Sequence, residues 1–311
     1  MEPAPVAART RPAADLIDRI GDTPLLAIRG LEGIPGSVAV LGKAEWTNPG
    51  GSVKDRAAWG IVRAAEAGGD LAQGRILLDA TSGNTGIAYA WIGAARGFGV
   101  TLCLPANAGA GRRRLLDALG AELVLTDRLE GTDGAIREAR RLAAAHPGRY
   151  FHADQYANPA NWRAHYHGTA GEIWTQTGGR VTHLVAGVGT SGTLVGCARR
   201  LRELNSALVA IAVQPDSPLH ALEGLKHLPT AIVPPLYDPA VHERTIEVAS
   251  DEAIDMVKRQ ARRGLLLGWS AGAALVAAER LARALAHGVV VAILPDGAER
   301  YLDDPLWRED P

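Results

Sequence analysis

Short apolar runs alternate with longer amphipathic stretches along almost the whole chain. The runs Val38–Leu41, Ile76–Leu78, Val100–Leu104, Leu123–Leu125, Leu184–Ala186, Leu208–Val213 and Val289–Leu294 are rich in Val, Ile or Leu. Each is too short for a typical helix, and together they predict buried strands of a parallel sheet. Between them, Val53–Ala67, Thr85–Arg96, Ala135–Ala145, Trp162–Gln176, Thr190–Leu204, Ser250–Arg263 and Ala271–Ala286 carry helical periodicity. This alternation predicts an α/β fold with mainly parallel sheets, and ligands beyond the carboxyl ends of the strands. The stretch Pro215–Pro239 breaks the pattern with six prolines and two histidines. It is too long for a neutral connector and reads as a functional loop.

Composition narrows the classes. A length of 311 residues suggests two domains or one large one, and 47% hydrophobic residues suffice for a real core. With 33 basic and 34 acidic side chains the formal net charge is -1, which argues against a general nucleic-acid binder. Cys103 and Cys197 are the only cysteines, with no CxxC pair or Cys/His ligand spacing, so neither a zinc site nor a disulfide framework is expected. They read as two buried free thiols in a reducing compartment. Met1–Arg11 is rich in Ala, Pro and Arg without an apolar core, and no apolar run is long enough for a bilayer. The expectation is a cytoplasmic protein with a short mobile tail over residues 1–13.

Four loop-to-helix junctions carry the candidate chemistry. In Asn48-Pro49-Gly50-Gly51-Ser52-Val53-Lys54-Asp55-Arg56, Pro and Gly force a turn and Ser52 can cap the next helix. Lys54 then falls in the first turn, where the helix dipole lowers an amine's pKa; this suits a nucleophilic amine, although a surface lysine would read the same. Thr81-Ser82-Gly83-Asn84-Thr85-Gly86 follows a strand and exposes backbone N–H groups as a nest for a carboxylate or phosphate. Gly187-Val188-Gly189-Thr190-Ser191-Gly192-Thr193 has the GxGxxG spacing but no acidic ribose ligand about 20 residues on, so a phosphate monoester fits better than a dinucleotide. In Gly268-Trp269-Ser270-Ala271-Gly272, Ser270 reads by default as the N-cap of a helix. The segment also has the spacing of a hydrolase nucleophile turn, for which His220, His227 and His242 would be candidate partners.

In this order the four segments resemble the cysteine synthase and cystathionine β-synthase family of fold-type-II pyridoxal-phosphate enzymes. The likeness begins at Ile20-Gly21-Asp22-Thr23-Pro24-Leu25 and runs through Asn158-Pro159-Ala160-Asn161, His165 and Gly171-Glu172-Ile173-Trp174. It ends at Pro295-Asp296-Gly297 and Glu299-Arg300-Tyr301-Leu302. The resemblance implies two open α/β domains with the cofactor, pyridoxal 5'-phosphate, in the cleft between them. Residues 14–47 and 159–311 would form the larger domain, and 48–158 the smaller, mobile one. Lys54 would be the Schiff-base lysine and catalytic base. Asn84 would bond the ring hydroxyl, Gly189, Thr190, Ser191, Gly192 and Thr193 the phosphate, and Ser270 the pyridine nitrogen. Thr81, Ser82, Thr85 and Gln155 would hold the substrate carboxylate.

A hydroxyl at Ser270 leaves the ring a weaker electron sink than a carboxylate would, which favours β-elimination and replacement. The implied activity makes L-cysteine from O-acetylserine or O-phosphoserine and a sulfur donor, through an aminoacrylate intermediate. The resemblance also implies a homodimer, with a sulfur-carrier protein as a possible partner. Cystathionine synthesis from serine and homocysteine is the alternative within the fold; a non-catalytic binding protein and a serine hydrolase are the alternatives outside it. One departure stands out: Ala106-Asn107-Ala108-Gly109-Ala110-Gly111 lacks the Ser and Glu that many relatives carry before the basic pair. Lys226, in the long loop, is either a reader of the substrate's phosphate or a lysine paired with Glu223.

Overall fold

The computed structural model describes residues 15–72, 74–81 and 83–307. Ser82 and the tail expected over residues 1–13 lie outside the described residues. The strands are β1 (Leu25–Ala27), β2 (Val38–Ala44), β3 (Ile76–Ala80), β4 (Val100–Pro105), β5 (Glu122–Thr126), β6 (Tyr150–His152), β7 (His183–Gly187), β8 (Val209–Pro215), β9 (Arg244–Val248) and β10 (Gly288–Leu294). The helices are α1 (Lys54–Gly68), α2 (Asn84–Arg96), α3 (Ala110–Ala118), α4 (Gly131–Ala145), α5 (Pro159–Ala164), α6 (Ala170–Gln176), α7 (Gly192–Leu204), α8 (Ser250–Ala261) and α9 (Trp269–Arg283). A π-helical turn, His165–Thr169, joins α5 to α6.

Two sheets result, as the alternation predicts. One has the order β1-β2-β10-β7-β8-β9, parallel except for β1, and the other is β5-β4-β3-β6, parallel throughout. Every strand expected from an apolar run is present. Near-continuous burial, as in β4 and the last five residues of β10, is what helices on both faces of a parallel sheet require. The expected burial fails at β5, an edge strand whose Leu125 is 49% exposed. Three strands escape the sequence reading. Both β1 and β6 are only three residues long, and β9 is an edge strand that alternates exposed and buried positions. The helix α3 escapes it too, because a glycine and three arginines leave only Leu116 buried. Among the described residues, no helix is long and apolar enough to cross a membrane. Cys103 and Cys197 are buried and unpaired.

The register of β2 on β10 ends at Ala44 beside Leu294. The exits of these two strands therefore run together. Val53 donates its N–H to Pro295 O at 2.8 Å, and Ser52 bridges Asp296. This contact sets where α1 begins.

A buried ion network then fixes the orientation of α1. The Arg56 guanidinium bonds both oxygens of Glu45 at 2.7 and 2.9 Å and both of Glu172 at 2.6 and 2.7 Å. Lys43 uses its three donors on Thr23 O, Glu172 and Gln176 at 2.6 to 2.9 Å. Burial pushes the Glu172 carboxyl up, but the bonds from Arg56 and Lys43 outweigh it and hold it down at about 2. Removing one partner from such a network strands the other charge in a dry interior. Arg56→Ala should therefore destabilise the protein by about 3–5 kcal/mol, because Glu45 is fully buried. Arg141→Ala breaks an exposed pair with Glu138 and should leave the stability almost unchanged. Urea denaturation followed by tryptophan fluorescence measures both; equal midpoints for the two variants would contradict the assignment.

Candidate active site

All four motifs meet at the carboxyl ends of the strands. Lys54 follows the β2 exit, Thr81 and Asn84 follow β3, Gly187–Ser191 follow β7, and Gly268, at the start of α9, is bonded to Asp296 at the β10 exit; the long loop after β8 joins them. Two cavities lie there. The larger, about 540 Å³, is lined by Lys54, Thr81, Asn84, Thr85, Gln155 and Lys226 among others. The smaller adjoins it and shares Lys54, Asn84, Gly189 and Thr190; it adds Ser191, Thr193 and Ser270.

Lys54 is the first residue of α1, and its N–H donates to Ser52 Oγ at 3.2 Å. Its side chain touches the cavity, but the surrounding protein removes most of its water. Desolvation lowers its amine pKa, and the Asp296 carboxylate partly restores it. The helix dipole acts in the direction expected from the sequence, but burial is the larger cause.

The phosphate-loop candidates are held from outside. Ser191 adopts a left-handed backbone at φ 73°, which turns the loop into α7. A Cβ on Gly189 would sit 2.2 Å from Gly224 O, and one on Gly192 would meet Asn161 Oδ1. Glycine is therefore required at both positions. Asn161 Nδ2 donates to Thr190 Oγ1 at 3.0 Å, and His165 Nε2 lies 3.3 Å from Thr193 Oγ1. Burial, with the nearby Arg56 and Lys54 charges, pushes the His165 imidazole down to about 3, so it stays neutral. The Ser191 hydroxyl oxygen is buried with no protein partner.

On the opposite wall, the Thr81 hydroxyl accepts from Gly83 N and Gly86 N, both at 3.1 Å, and shapes the turn into α2. Thr85 Oγ1 donates to Gln155 Oε1 at 2.7 Å, and Gln155 Nε2 donates to Ala80 O at 2.6 Å. The side chains of Thr85 and Gln155 are thus spent on each other and on the strand end. The backbone N–H groups that begin α2 supply the anion-binding character. Asn84 Nδ2 donates to Asp296 Oδ2 at 2.7 Å, while Asn84 Oδ1 is buried without a partner.

Two expectations need correction. Gly268, not Ser270, occupies the N-cap of α9; Ser270 is the second residue of the helix and lines the smaller cavity. Lys226 pairs not with Glu223 but with Asp133, at 3.0 Å. Glu223 is instead bound by both terminal nitrogens of Arg112. His220 and His227 line the larger cavity, and His242 bonds Tyr237. Among the described residues no histidine is hydrogen-bonded to Ser270, so the hydrolase arrangement is not assembled. Sequence reasoning assigned no role to Asp296, Arg112 or Asp133, and set Glu223 only against Lys226. Asp296 was visible only as part of a Pro-Asp-Gly turn.

The cradle fits a phosphorylated ring cofactor. Its orphaned Ser191 hydroxyl and Asn84 carbonyl oxygen, its space-limited glycines and its desolvated amine are what such a group would occupy. Comparison with known proteins agrees. Residues 16–296 match the family described as "Pyridoxal-phosphate dependent enzyme". A cysteine synthase of Aquifex aeolicus is 46% identical, covering 94% of this chain and 92% of its own length. Cysteine synthase B of Pseudomonas aeruginosa is 41% identical, covering 94% and 97%. The crystal structure of a cysteine synthase from Entamoeba histolytica superposes with a TM-score of 0.92 at 33% identity, covering 100% of this chain and 95% of that one. The chain belongs to the pyridoxal-phosphate-dependent enzymes and, within them, to the cysteine synthase family.

Proposed function

We propose that this enzyme makes L-cysteine by β-replacement on O-acetylserine with sulfide or a related sulfur donor. The observation that carries this reading is the desolvated Lys54 amine, with a phosphate cradle on one side and an anion nest on the other. Gly189–Thr193 would hold the cofactor's phosphate, Asn84 its ring hydroxyl and Ser270 its ring nitrogen. Pyridoxal phosphate, when bound, supplies a covalent link for an amine and a ring that accepts electrons.

The chain's own residues do the rest. The α2 N-terminus and Thr81 orient the substrate carboxylate, with Ser82 as a further candidate. Lys54 Nζ, its pKa lowered by burial, takes the proton from the substrate Cα. Acetate then leaves Cβ with the bonding electrons. The sulfur nucleophile adds at Cβ, and Lys54 returns the proton to Cα. Segment 48–158 is proposed to close over the substrate. Arg112 and Asp133 belong to it, and they meet Glu223 and Lys226 of the long loop. These pairs span the mouth and restrict water.

They also bear on the leaving group. Lys226 on the cavity wall already faces a carboxylate, so the pocket demands no charged leaving group, and a neutral acetyl ester suits it. Lys226 uses one of its three donors on Asp133 and is proposed to contact a phosphate leaving group with the others. The resemblance extends to a cytoplasmic homodimer, with which two buried free thiols are compatible. The substrate test is a panel of O-acetylserine, O-phosphoserine and serine, each with sulfide and with homocysteine. Cysteine from O-acetylserine and sulfide should dominate; cystathionine as the main product would establish the second reading.

Lys54→Ala should remain folded but lose turnover by about a thousandfold or more. Borohydride should fix pyridoxal phosphate covalently to the wild type and leave the mass of the variant unchanged. A variant that still exchanges the substrate α-proton at the wild-type rate would exclude Lys54 as the base. Lys226→Ala should lower kcat/KM for O-phosphoserine about tenfold or more and spare O-acetylserine. Equal losses on both substrates would leave Lys226 as a link to Asp133 only.

A further inference from the structure

Asp296 lies where all four motifs converge. Its backbone bridges Ser52, just before Lys54, and its carbonyl accepts the N–H of Gly268 at the start of α9. These backbone contacts tie the elements together and would survive any side chain. The carboxylate is a separate matter. It is 1% exposed. Its Oδ2 accepts from Asn84 Nδ2 and from Tyr301 OH, both at 2.7 Å. Its Oδ1 is buried and has no hydrogen-bond partner. A Cβ on Gly268 would sit 2.1 Å from that oxygen, so the fold reserves room for it.

A buried carboxylate with one idle oxygen is costly unless a cation faces it. Lys54, two residues past the Ser52 bridge, is the amine on which this carboxylate acts, and the Asp296 charge raises the Lys54 pKa against desolvation. Other groups oppose or modulate the pair. Burial is the largest influence and raises the Asp296 pKa; hydrogen bonds from Tyr301 and Asn84 lower it, Glu223 raises it from the long loop, Lys54 lowers it, and Arg112 acts on Tyr301. His165, in the π-turn, feels Lys54 but stays neutral. Ser52 and the start of α9 add no titratable group.

We propose that Asp296 is a positioning residue of this site, fixing the Asn84 amide and supplying the negative charge that faces Lys54. The inference deepens the proposed function and rests on Lys54 and Asn84 forming the cofactor site. Anchoring by Asp296 aims one face of the Asn84 amide and leaves one Nδ2 hydrogen and Oδ1 for the cofactor. Its charge sets the pH at which the Lys54 amine becomes reactive.

The test uses the full chain freed of cofactor, as wild type, Asp296→Asn and Tyr301→Phe. Reductive methylation across pH, with the Lys54 peptide followed by mass spectrometry, gives the pH midpoint of the amine. Asp296→Asn keeps the shape but removes the charge, so the midpoint should fall by about one pH unit or more. Affinity for pyridoxal phosphate, by fluorescence titration, should fall about tenfold. Tyr301→Phe removes one donor to the carboxylate and should shift the midpoint in the same direction by less. It decides the question if Asp296→Asn fails to fold. A midpoint unmoved or raised in the folded variants overturns the assignment. Failure of the wild type itself to bind pyridoxal phosphate would instead defeat the underlying reading, while the amine midpoints would still report on the Asp296–Lys54 pair.

Discussion

Arg56 grips two carboxylates with one planar guanidinium, and the placement of the catalytic cleft follows from that grip. Glu45 lies just after β2 and Glu172 lies in α6, so the pairing joins the strand exit, the first turn of α1 and a distant helix. Lys54 is two residues before Arg56 on that turn. If the turn rotated, the Lys54 amine would leave the cleft. A buried ion network gains little net stability over well-packed apolar groups, yet it tolerates almost no other geometry. Fidelity of position, more than energy, is what such a network supplies to a site that must place one amine.

The same logic governs the phosphate cradle. Gly189 and Gly192 are small because Gly224 and Asn161 press against them from behind, not because the loop needs freedom. Close approach brings Asn161 onto the Thr190 hydroxyl, and the π-turn brings His165 onto the Thr193 hydroxyl. Gly196 serves this packing too, since a Cβ there would sit 2.2 Å from Trp162 O. The extra residue of the π-turn and the missing side chains on α7 are therefore one feature. With two threonines fixed from outside, the Ser191 hydroxyl and the loop N–H groups are left to face the cavity.

Much of this was legible in the sequence, and the parts that were not share a cause. Strands buried on both faces announce themselves as Val, Ile and Leu runs, so β4 and β10 were readable, whereas the three-residue β1 and β6 were not. Glycine beside hydroxyl residues marked 81–86 and 187–193 as candidate anion-binding loops. What stayed hidden depends on pairs distant in the chain. Arg112 and Glu223 are 111 residues apart, Asp133 and Lys226 are 93 apart, and Asn84 and Asp296 are 212 apart. A charged residue carries no local mark of which partner the fold will bring to it. That is why Lys226 was set against its neighbour Glu223 on helical spacing, while the fold gave each another partner.

Lys54 shows how such distant pairings tune chemistry. Its place at the N-terminus of α1 puts a cation against the positive end of the dipole. Its depth in the cleft removes hydration, and both effects favour the neutral amine. Taken alone, these lower the amine's affinity for a proton. A base that must take a proton and later return it needs a pKa near the working pH. Some opposing charge is therefore required, and it must itself be dry, or water would screen it. Asp296 meets that condition because Asn84 and Tyr301 hold its carboxylate in place of solvent. The state of the lysine thus depends on a residue of the β10 exit, and the contact that carries β10 to α1 in the fold also carries the charge to the amine.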